Sequence, residues 1–209
     1  MAPRRCRPAG EVLEVSYAGE LKRAMDHLAA HPRTVFIGQA VEYEGTAMTA
    51  TLADVPAEKR IELPVCEDMQ AGIANGLALA GMIPVSIFPR WNFLLLAANQ
   101  VVNHLDKIAE FSGYRPKVII RTSVGAIWPW NSQAQHIGDY TDVYRSMLKN
   151  IEAIRLDDAG EVLPAYQKAL ERTDGKSTIL VEWGDFHNEK SPYRPGTDTS
   201  VVARRHAGG

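Results

Sequence analysis

Six short runs rich in apolar residues recur along the chain, and segments with helical periodicity separate them. The runs are TVFIGQAV from residue 34, RIELPV from 60, MIPVSIF from 82, KVIIRTS from 117, IEAIRL from 151 and STILVEW from 177. Continuous apolar runs are typical of strands buried on both faces of a parallel sheet. Strands that alternate with helices at this spacing predict βαβ units with right-handed crossovers. We therefore predict an α/β fold with three layers, α/β/α, around a mostly parallel sheet of about six strands.

The predicted helices define the extent of one domain. A stripe of Leu21, Ala24, Met25 and Leu28 predicts a first helix before the first strand. Further helices are predicted near residues 67–81, 92–112, 141–149 and 158–172. Residues 1–14 are predicted to be a flexible N-terminal arm, residues 15–183 the α/β domain, and the polar stretch 184–209 a C-terminal tail.

Charge and cysteine content narrow the class of protein. A net charge of -2 gives no reason to expect nucleic acid or an anionic membrane as a partner. The most apolar run, FLLLAA over residues 93–98, is far too short to span a bilayer. Two cysteines are too few for a disulfide scaffold, and Cys66 is predicted to lie in the core. We expect a soluble protein in the reducing cytoplasm.

Three segments leave predicted strands at their carboxyl ends, where open α/β sheets collect their chemistry. They are GQAVEYEGTAMTAT over residues 38–51, PVCEDM over 64–69 and SVGAIWPWNSQAQHIGDYTD over 123–142. The third is long for a connection in a compact fold, and such loops are usually functional.

Glu67 stands at the start of the helix that follows the second strand. An acid in the first helical turn is commonly a surface residue that faces exposed amides. That account fits Asp68, but it does not explain Gly72, Gly76 and Ala80, which are spaced four apart on one side of the helix. Glycine inside a helix costs about 1 kcal/mol relative to alanine. The small face therefore predicts the close approach of another helix.

The spacing of Glu67, Gly72, Ile73, Gly76 and Leu77 resembles the cofactor-activating motif of thiamine diphosphate enzymes. The motif belongs to the pyrimidine-binding domain that transketolases share with the beta subunits of 2-oxoacid dehydrogenases. The likeness extends over residues 17–183 and includes VFIGQAVEYEG, ELPVCEDMQAGIANGLALAGMIPVSIF, NQVVNHLDKI and NSQAQHIGDYTDVY.

This resemblance implies that Glu67 is both the catalytic activator and a cofactor contact. In the family, the glutamate shares a proton with a ring nitrogen of the aminopyrimidine. The resulting imino tautomer then removes the proton from the thiazolium carbon. For that task we expect Glu67 to be buried at the strand end among Val65, Cys66 and Met69. The family also places the small helix face and the cofactor at the contact with a neighbouring subunit, so Gly72 and Gly76 are candidate interface residues.

The resemblance suggests further site residues. Phe93, and after it Trp91, occupy the place of the aromatic contact to the aminopyrimidine, although core packing explains most aromatic residues. Glu42 and Gln39 either lie near the cofactor and the subunit contact or are ordinary solvated loop residues. The further candidates for substrate or interface contacts are Gln133, Trp130 and Asn131.

His136 is the second candidate catalytic residue. The beta subunits carry a histidine directly before the Ser-Gln of the active-site loop, where this chain has Asn131. HIGDY resembles a histidine loop of the transketolase-like synthases, so His136 either fills the same space and acts on the intermediate or packs the loop.

The sequence contains no Gly-Asp-Gly segment, through which the family binds the diphosphate and its metal. The prediction is therefore no metal ligands in this chain, with thiamine diphosphate and Mg2+ completed by a partner subunit that carries Gly-Asp-Gly. We expect a heterotetramer of two plus two. It would cleave or decarboxylate a 2-oxo acid or ketose and pass the carbanion to an acceptor. The alternative is a non-catalytic scaffold or regulatory subunit of the same fold.

Overall fold

The structure is a computed structural model that describes residues 16–125 and 133–188. Six strands form one parallel sheet in the order β2-β1-β3-β4-β6-β5. The strands are β1 Thr34–Gly38, β2 Arg60–Glu62, β3 Ile83–Ile87, β4 Ile119–Val124, β5 Ile151–Arg155 and β6 Ser177–Trp183. The predicted α/β class and the parallel sheet are confirmed.

Helices cover both faces of the sheet. They are α1 Tyr17–Ala30, α2 Ala47–Ala50, α3 Glu67–Leu79, α4 Trp91–Leu94, α5 Ile108–Ser112, α6 Thr141–Met147 and α7 Ala159–Glu171. α1 packs against α7 on one face, while α3 packs against β3 and α4 against β4 on the other. This distribution follows from right-handed crossovers, because a connection that reverses direction along the sheet changes face. The architecture has three layers, α/β/α.

The central strands are the most deeply buried. Every residue of β1, β3, β4 and β6 is buried, as expected for strands covered on both faces. β2 lies at the sheet edge and contains only three residues, none of them buried. The predicted run RIELPV is longer than this strand because Pro64 has no backbone N–H to extend the ladder.

The helix predicted near residues 92–112 is divided into several short pieces. α4 passes into a 3₁₀ turn at Leu95–Ala97, a π-helical segment at Gln100–Leu105, and then α5. α3 packs along the first part of this segment, over the 3₁₀ turn and the π-helical stretch.

The chain continues to pack after β6. A 3₁₀ turn at Gly184–Phe186 places the Phe186 ring against Tyr17, at 5.5 Å between centroids, and against Trp183. The predicted C-terminal tail thus begins with a packed segment, over residues 184–188. Residues 189–209 of that tail and the predicted arm 1–14 lie outside the described residues. In the described part of the chain, no helix has the length and apolar character that a bilayer span requires.

Candidate active site

The carboxyl ends of four neighbouring strands bring the candidate residues to one edge of the sheet. Gln39 follows β1, Glu67 follows β2, Phe93 follows β3, and the loop that contains His136 follows β4. These strands are adjacent in the order β2-β1-β3-β4. The edge is where a parallel sheet leaves room for a ligand between its connections.

Glu67 is the first residue of α3, and its side chain is buried, with 6% of the residue exposed. Its Oε1 accepts a hydrogen bond of 3.1 Å from Gln39 Nε2. Within residues 16–125 and 133–188, its second oxygen, Oε2, has no hydrogen-bond partner. The pair joins two residues that the sequence had singled out separately, and it leaves one carboxylate oxygen available.

The surroundings of Glu67 differ from the expectation. Val65 is 77% exposed and Met69 39% exposed, and Cys66 is an exposed free thiol. The prediction that Cys66 lies in the core was therefore wrong, and these three residues do not enclose the carboxylate. β2 is an edge strand, so the chain enters α3 at the surface of the molecule. Glu67 is buried because its own side chain turns inward to the loop after β1.

That loop begins at a closely packed glycine, Gly38, which lies between Ile87 and the Gln70 side chain. Gly38 has a φ of +134°, and a Cβ there would clash with the Ile87 carbonyl oxygen. Ala40 has a φ of +57°, which is uncommon for a residue other than glycine. Gln70 is fully buried, and its Nε2 donates to Ser86 Oγ at 3.1 Å and to the Ile87 oxygen at 2.8 Å.

Phe93 and His136 form a second pair at the same edge of the sheet. Their rings are 5.4 Å apart between centroids and are tilted by 45°. His136 Nδ1 is buried without a hydrogen-bond partner in the part of the chain that the structure describes. A buried polar atom of this kind normally binds to water or to a ligand. Phe93 itself is half-buried, so part of its ring can contact another group.

Arg90 holds the two ends of the loop that follows β4. Its Nη1 donates to the Gly125 carbonyl oxygen at 2.6 Å and approaches the His136 carbonyl oxygen at 3.5 Å. Burial lowers the pKa of Arg90, while Asp185 acts in the opposite direction. This one side chain therefore contacts the backbone on both sides of residues 126–132.

The remaining candidates have different surroundings. Trp91 is fully buried, and its ring packs against Tyr144, at 4.8 Å between centroids, and against Tyr140. Glu42 has an exposed side chain, and Gln133 is exposed with a φ of +62°. Trp130 and Asn131 lie outside the described residues.

The small face of α3 is open in the single chain. A Cβ on Gly76 would meet no atom within 4 Å, and one on Gly72 would meet only the Gln100 side chain, at 3.8 Å. The same helix and the turn before it expose large apolar side chains, namely Val65, Met69, Ile73 and Leu79. Nothing within the described residues requires a glycine at position 76.

Metal ligands are not clustered in the described ranges. Residues 16–125 and 133–188 contain no group of three or more His, Cys, Asp or Glu side chains that could hold a metal ion. The carboxylates at the candidate site engage other partners: Glu67 accepts from Gln39, and Asp68 Oδ2 accepts from Gln100 Nε2 at 3.3 Å.

Glu62, Gln70 and Arg90 were not identified from the sequence, although each fixes part of the site. Arg90 follows the end of β3, so its position beyond a strand was an available signal. Glu62 lies inside a strand, and Gln70 lies inside a helix. Their roles depend on contacts between elements, which periodicity does not reveal.

Known proteins with similar sequences are beta subunits of 2-oxoacid dehydrogenases. The chain is 34% identical over 147 residues to the pyruvate dehydrogenase E1 component subunit beta of Chaetomium thermophilum, a match that covers 67% of this chain and 38% of that protein. It is 34% identical over 131 residues to the 3-methyl-2-oxobutanoate dehydrogenase subunit beta of Mycobacterium tuberculosis, covering 59% of this chain and 36% of that one. The chain thus spans less than half the length of these relatives.

Solved structures of transketolases share the fold. A transketolase from Campylobacter jejuni superimposes with a TM-score of 0.62 and 16% identity, covering 86% of this chain and 27% of that one. A split-gene transketolase, solved as an inactive beta4 tetramer, gives a TM-score of 0.56 with 17% identity over 81% of this chain and 51% of that one. The family described as the transketolase pyrimidine-binding domain matches residues 14–183. The chain therefore belongs to the transketolase pyrimidine-binding domain family.

Proposed function

We propose that the chain is the pyrimidine-binding subunit of a split thiamine diphosphate-dependent enzyme. The enzyme would cleave or decarboxylate a 2-oxo acid or a ketose and transfer the resulting carbon fragment to an acceptor, in acyloin formation or two-carbon transfer. The observation that carries this proposal is the Glu67 carboxylate, which is buried at the carboxyl edge of the sheet. Gln39 holds one of its oxygens, and the other has no partner among the described residues.

The residues at this edge fit the cofactor. Thiamine diphosphate, when bound, supplies a thiazolium carbon acid that attacks a carbonyl carbon once it is deprotonated. Glu67 Oε2 is free to share a proton with a ring nitrogen of the aminopyrimidine. Phe93 offers partly exposed ring surface for an aromatic contact. His136 Nδ1 is buried without a described partner, so it is suited to hold or deliver a proton at a substrate oxygen.

A partner subunit is the second part of the proposal. The partner would carry the Gly-Asp-Gly segment and supply the Mg2+ ligands and the diphosphate site. Support comes from the exposed apolar residues on α3 and from the open space at Gly76. The structure described as an inactive beta4 tetramer of a split-gene transketolase agrees with a chain of this kind that does not work alone. Closed two-fold symmetry favours a two-plus-two heterotetramer.

The cytoplasm remains the proposed compartment. Cys66 is an exposed free thiol in this structure, and thiols of this kind persist in reducing surroundings.

The experiment that tests the proposed function combines the chain with a subunit that carries Gly-Asp-Gly, together with Mg2+ and thiamine diphosphate. NMR would measure exchange of the thiazolium proton, and calorimetry would measure cofactor binding. In Glu67→Gln, exchange should slow by at least about 10²-fold while binding changes far less, because shape is kept and only the ionisable group is lost.

Asp68→Asn is the matched control, since it removes an adjacent exposed acid whose side chain, among the described residues, is hydrogen-bonded only to Gln100. Normal exchange in Glu67→Gln would contradict the catalytic assignment. A wild-type complex that binds the cofactor without exchange or turnover would support the scaffold alternative instead.

A further inference from the structure

Three consecutive backbone amides of the loop after β1 donate to one side chain. Glu62 Oε1 accepts from Ala40 N at 2.9 Å, and Glu62 Oε2 accepts from Val41 N and from Glu42 N, both at 2.7 Å. Glu62 is the last residue of β2, and its neighbour Leu63 donates its N–H to the Gly38 oxygen at 2.9 Å. Successive N–H groups that converge on one anion form a concave binding site in the backbone, and here the anion is part of the chain.

The loop conformation depends on this carboxylate. Ala40 has the left-handed φ of +57°, and its N–H points to the same carboxylate as the next two amides, although to the other oxygen. A left-handed residue other than glycine is strained and persists only where its surroundings enforce it. Thr49 fixes the opposite side of the loop, because its one hydroxyl proton lies between the Tyr43 oxygen, at 2.6 Å from Oγ1, and the Ala40 oxygen, at 3.0 Å. Ala40 is therefore held at its N–H by Glu62, and its C=O lies against the Thr49 hydroxyl.

Gln39 lies between two fixed points of the backbone. Before it is Gly38, whose φ of +134° and close approach to Ile87 allow no side chain. After it is Ala40, held by Glu62 and Thr49. The direction of the Gln39 side chain is set by this geometry, and its Nε2 donates to Glu67 Oε1 at 3.1 Å. An amide N–H can only donate, so this contact engages Oε1 as its acceptor, and Oε2 is left without a partner among the described residues.

We propose that Glu62 and Gln39 are positioning residues for Glu67. Glu62 fixes the loop through three amides, the loop aims Gln39, and Gln39 holds Oε1 so that Oε2 faces the site. The proposal rests on the proposed function for the role of Oε2, which is to share a proton with the cofactor. The coupling of Glu62, Gln39 and Glu67 is a property of this chain alone and can be measured without partner or cofactor. Small errors in the placement of a reacting group are costly, since a displacement of about 1 Å can reduce a rate by about 10²-fold.

The first test uses the full chain without partner or cofactor. NMR would record the side-chain amide signal of Gln39 and the exchange protection of the Ala40, Val41 and Glu42 amides. Glu67→Gln provides the reference signal for a Gln39 amide whose acceptor is no longer a carboxylate. In Glu62→Gln, the Gln39 signal should move from its wild-type position, and the three amides should lose at least about 10-fold in protection, because an amide group cannot accept from all three.

Glu58→Gln is the matched control, because Glu58 is also exposed, lies just before β2 and has no side-chain hydrogen bond or ion pair among the residues that the structure describes. It should leave the Gln39 signal and the three amides unchanged. A Gln39 signal that stays at its wild-type position in Glu62→Gln would overturn the proposal, whatever the protein catalyses.

The second test uses the complex with the partner subunit and thiamine diphosphate. Gln39→Ala and Glu62→Gln should each slow thiazolium proton exchange by about 10-fold, while the dissociation constant of the cofactor changes by less than about threefold. A purely structural role would instead weaken cofactor binding and lower the melting temperature together, which would overturn the positioning role.

Measurements on the wild-type and Glu67→Gln complexes distinguish failure of the proposed function from failure of the positioning role alone. If neither promotes exchange, the proposed function fails and the positioning role of Gln39 and Glu62 fails with it. If wild type promotes exchange, Glu67→Gln does not, and Gln39→Ala and Glu62→Gln match wild type, only the positioning role fails.

Discussion

Arg121 and Glu182 form a bidentate ion pair between β4 and β6, on the face of the sheet that α7 covers. Arg121 Nε donates to Glu182 Oε1 at 2.6 Å, Nη2 donates to Oε2 at 3.0 Å, and both residues are fully buried. Around the pair, Arg121 Nη1 donates to Thr51 Oγ1, and the Tyr166 hydroxyl donates to Glu182. His187 Nε2 lies 2.7 Å from Glu182 Oε2. These contacts join β4 and β6 to α7 and to the segment after β6.

Removing the carboxylate should strongly destabilise the fold. Glu182→Gln leaves the buried Arg121 charge without a counter-ion, and breaking a buried pair costs about 3–5 kcal/mol. We expect that loss in the free energy of unfolding, measured by urea denaturation at pH 7. Glu171→Gln, at an exposed position on α7, should remain within about 0.5 kcal/mol of wild type. Equal stability of the two variants would contradict a structural role for the pair.

The same carboxylate predicts a pH dependence. Burial raises the pKa of Glu182, but the charge of Arg121 and the contacts with His187 and Arg121 outweigh it and lower the pKa to about 2. A depressed folded-state pKa stabilises the protein above the unfolded value of about 4.3. That stabilisation is lost as the pH falls from about 4.3 toward 2. The difference in unfolding free energy between wild type and Glu182→Gln should therefore shrink over this range. A constant difference over this range would show that folding does not lower the pKa of Glu182.

Asp106 provides an independent prediction on the other face of the sheet. It is fully buried, and its Oδ1 accepts from Lys149 N at 2.8 Å and from Asn150 N at 2.7 Å. Asp106→Asn keeps the shape but weakens hydrogen bonds to a charged acceptor, each worth about 1.5–3 kcal/mol. We expect thermal unfolding to show a clear loss of stability. Asp142→Asn, which among the described residues breaks only an exposed pair with Arg145, should have almost no effect. Equal melting temperatures of Asp106→Asn and Asp142→Asn would refute a stabilising role of Asp106.

The order of strands and helices could be predicted because strands that are buried on both faces of the sheet are rich in apolar residues, and this pattern is visible in the sequence. β1 and β3 are largely apolar runs, β4 and β6 combine apolar residues with the buried Arg121 and Glu182, and each strand was predicted close to its observed position. The breaks between residues 91 and 112 could not be predicted in this way. That stretch contains neither glycine nor proline, so its composition favours one continuous helix, whereas in the structure it packs against α3 as several short pieces.

Residues of the candidate site could be predicted from the sequence only where they belong to a recognisable motif. Glu67 was identified by its spacing to Gly72 and Gly76, and its catalytic role stays a prediction. The contact from Gln39 depends on the left-handed turn at Ala40. The three hydrogen bonds that the Glu62 carboxylate accepts from the loop depend on the register that pairs Gly38 with Glu62 across β1 and β2. Register and backbone dihedral angles are properties of the folded chain, and no local pattern specifies them.

His136 should act after cofactor activation. Its Nδ1 is buried without a described partner, beside the Phe93 ring. In His136→Ala, thiazolium proton exchange in the assembled complex should stay fast, while product formation slows by about 10²-fold. The substrate would be the 2-oxo acid or ketose that the wild-type complex consumes fastest. His104→Ala, at an exposed position, is the control. Unchanged product formation would make His136 a packing residue and direct attention to Gln133.

Gly76 should matter for assembly and not for folding of the chain. A Cβ there meets no atom within 4 Å, so Gly76→Ala is free of steric cost and should stabilise the isolated chain. The gain should be about 1 kcal/mol, the difference between glycine and alanine inside a helix. Gly76→Leu should also fold, because its side chain extends into solvent beside the exposed Ile73 and Leu79.

In the presence of the partner subunit, Gly76→Leu and Gly76→Ala should differ in their ability to assemble. The leucine occupies space that a close-packed neighbouring helix needs, so gel filtration should show Gly76→Leu as free chain under conditions where wild type forms the heterotetramer. Thiazolium proton exchange should be lost with assembly, since each cofactor site would need both subunits. Gly76→Ala should associate more weakly than wild type but measurably. Full assembly and normal exchange in Gly76→Leu would place the interface elsewhere, and full thiamine-dependent turnover by the lone wild-type chain would overturn the split-enzyme proposal itself.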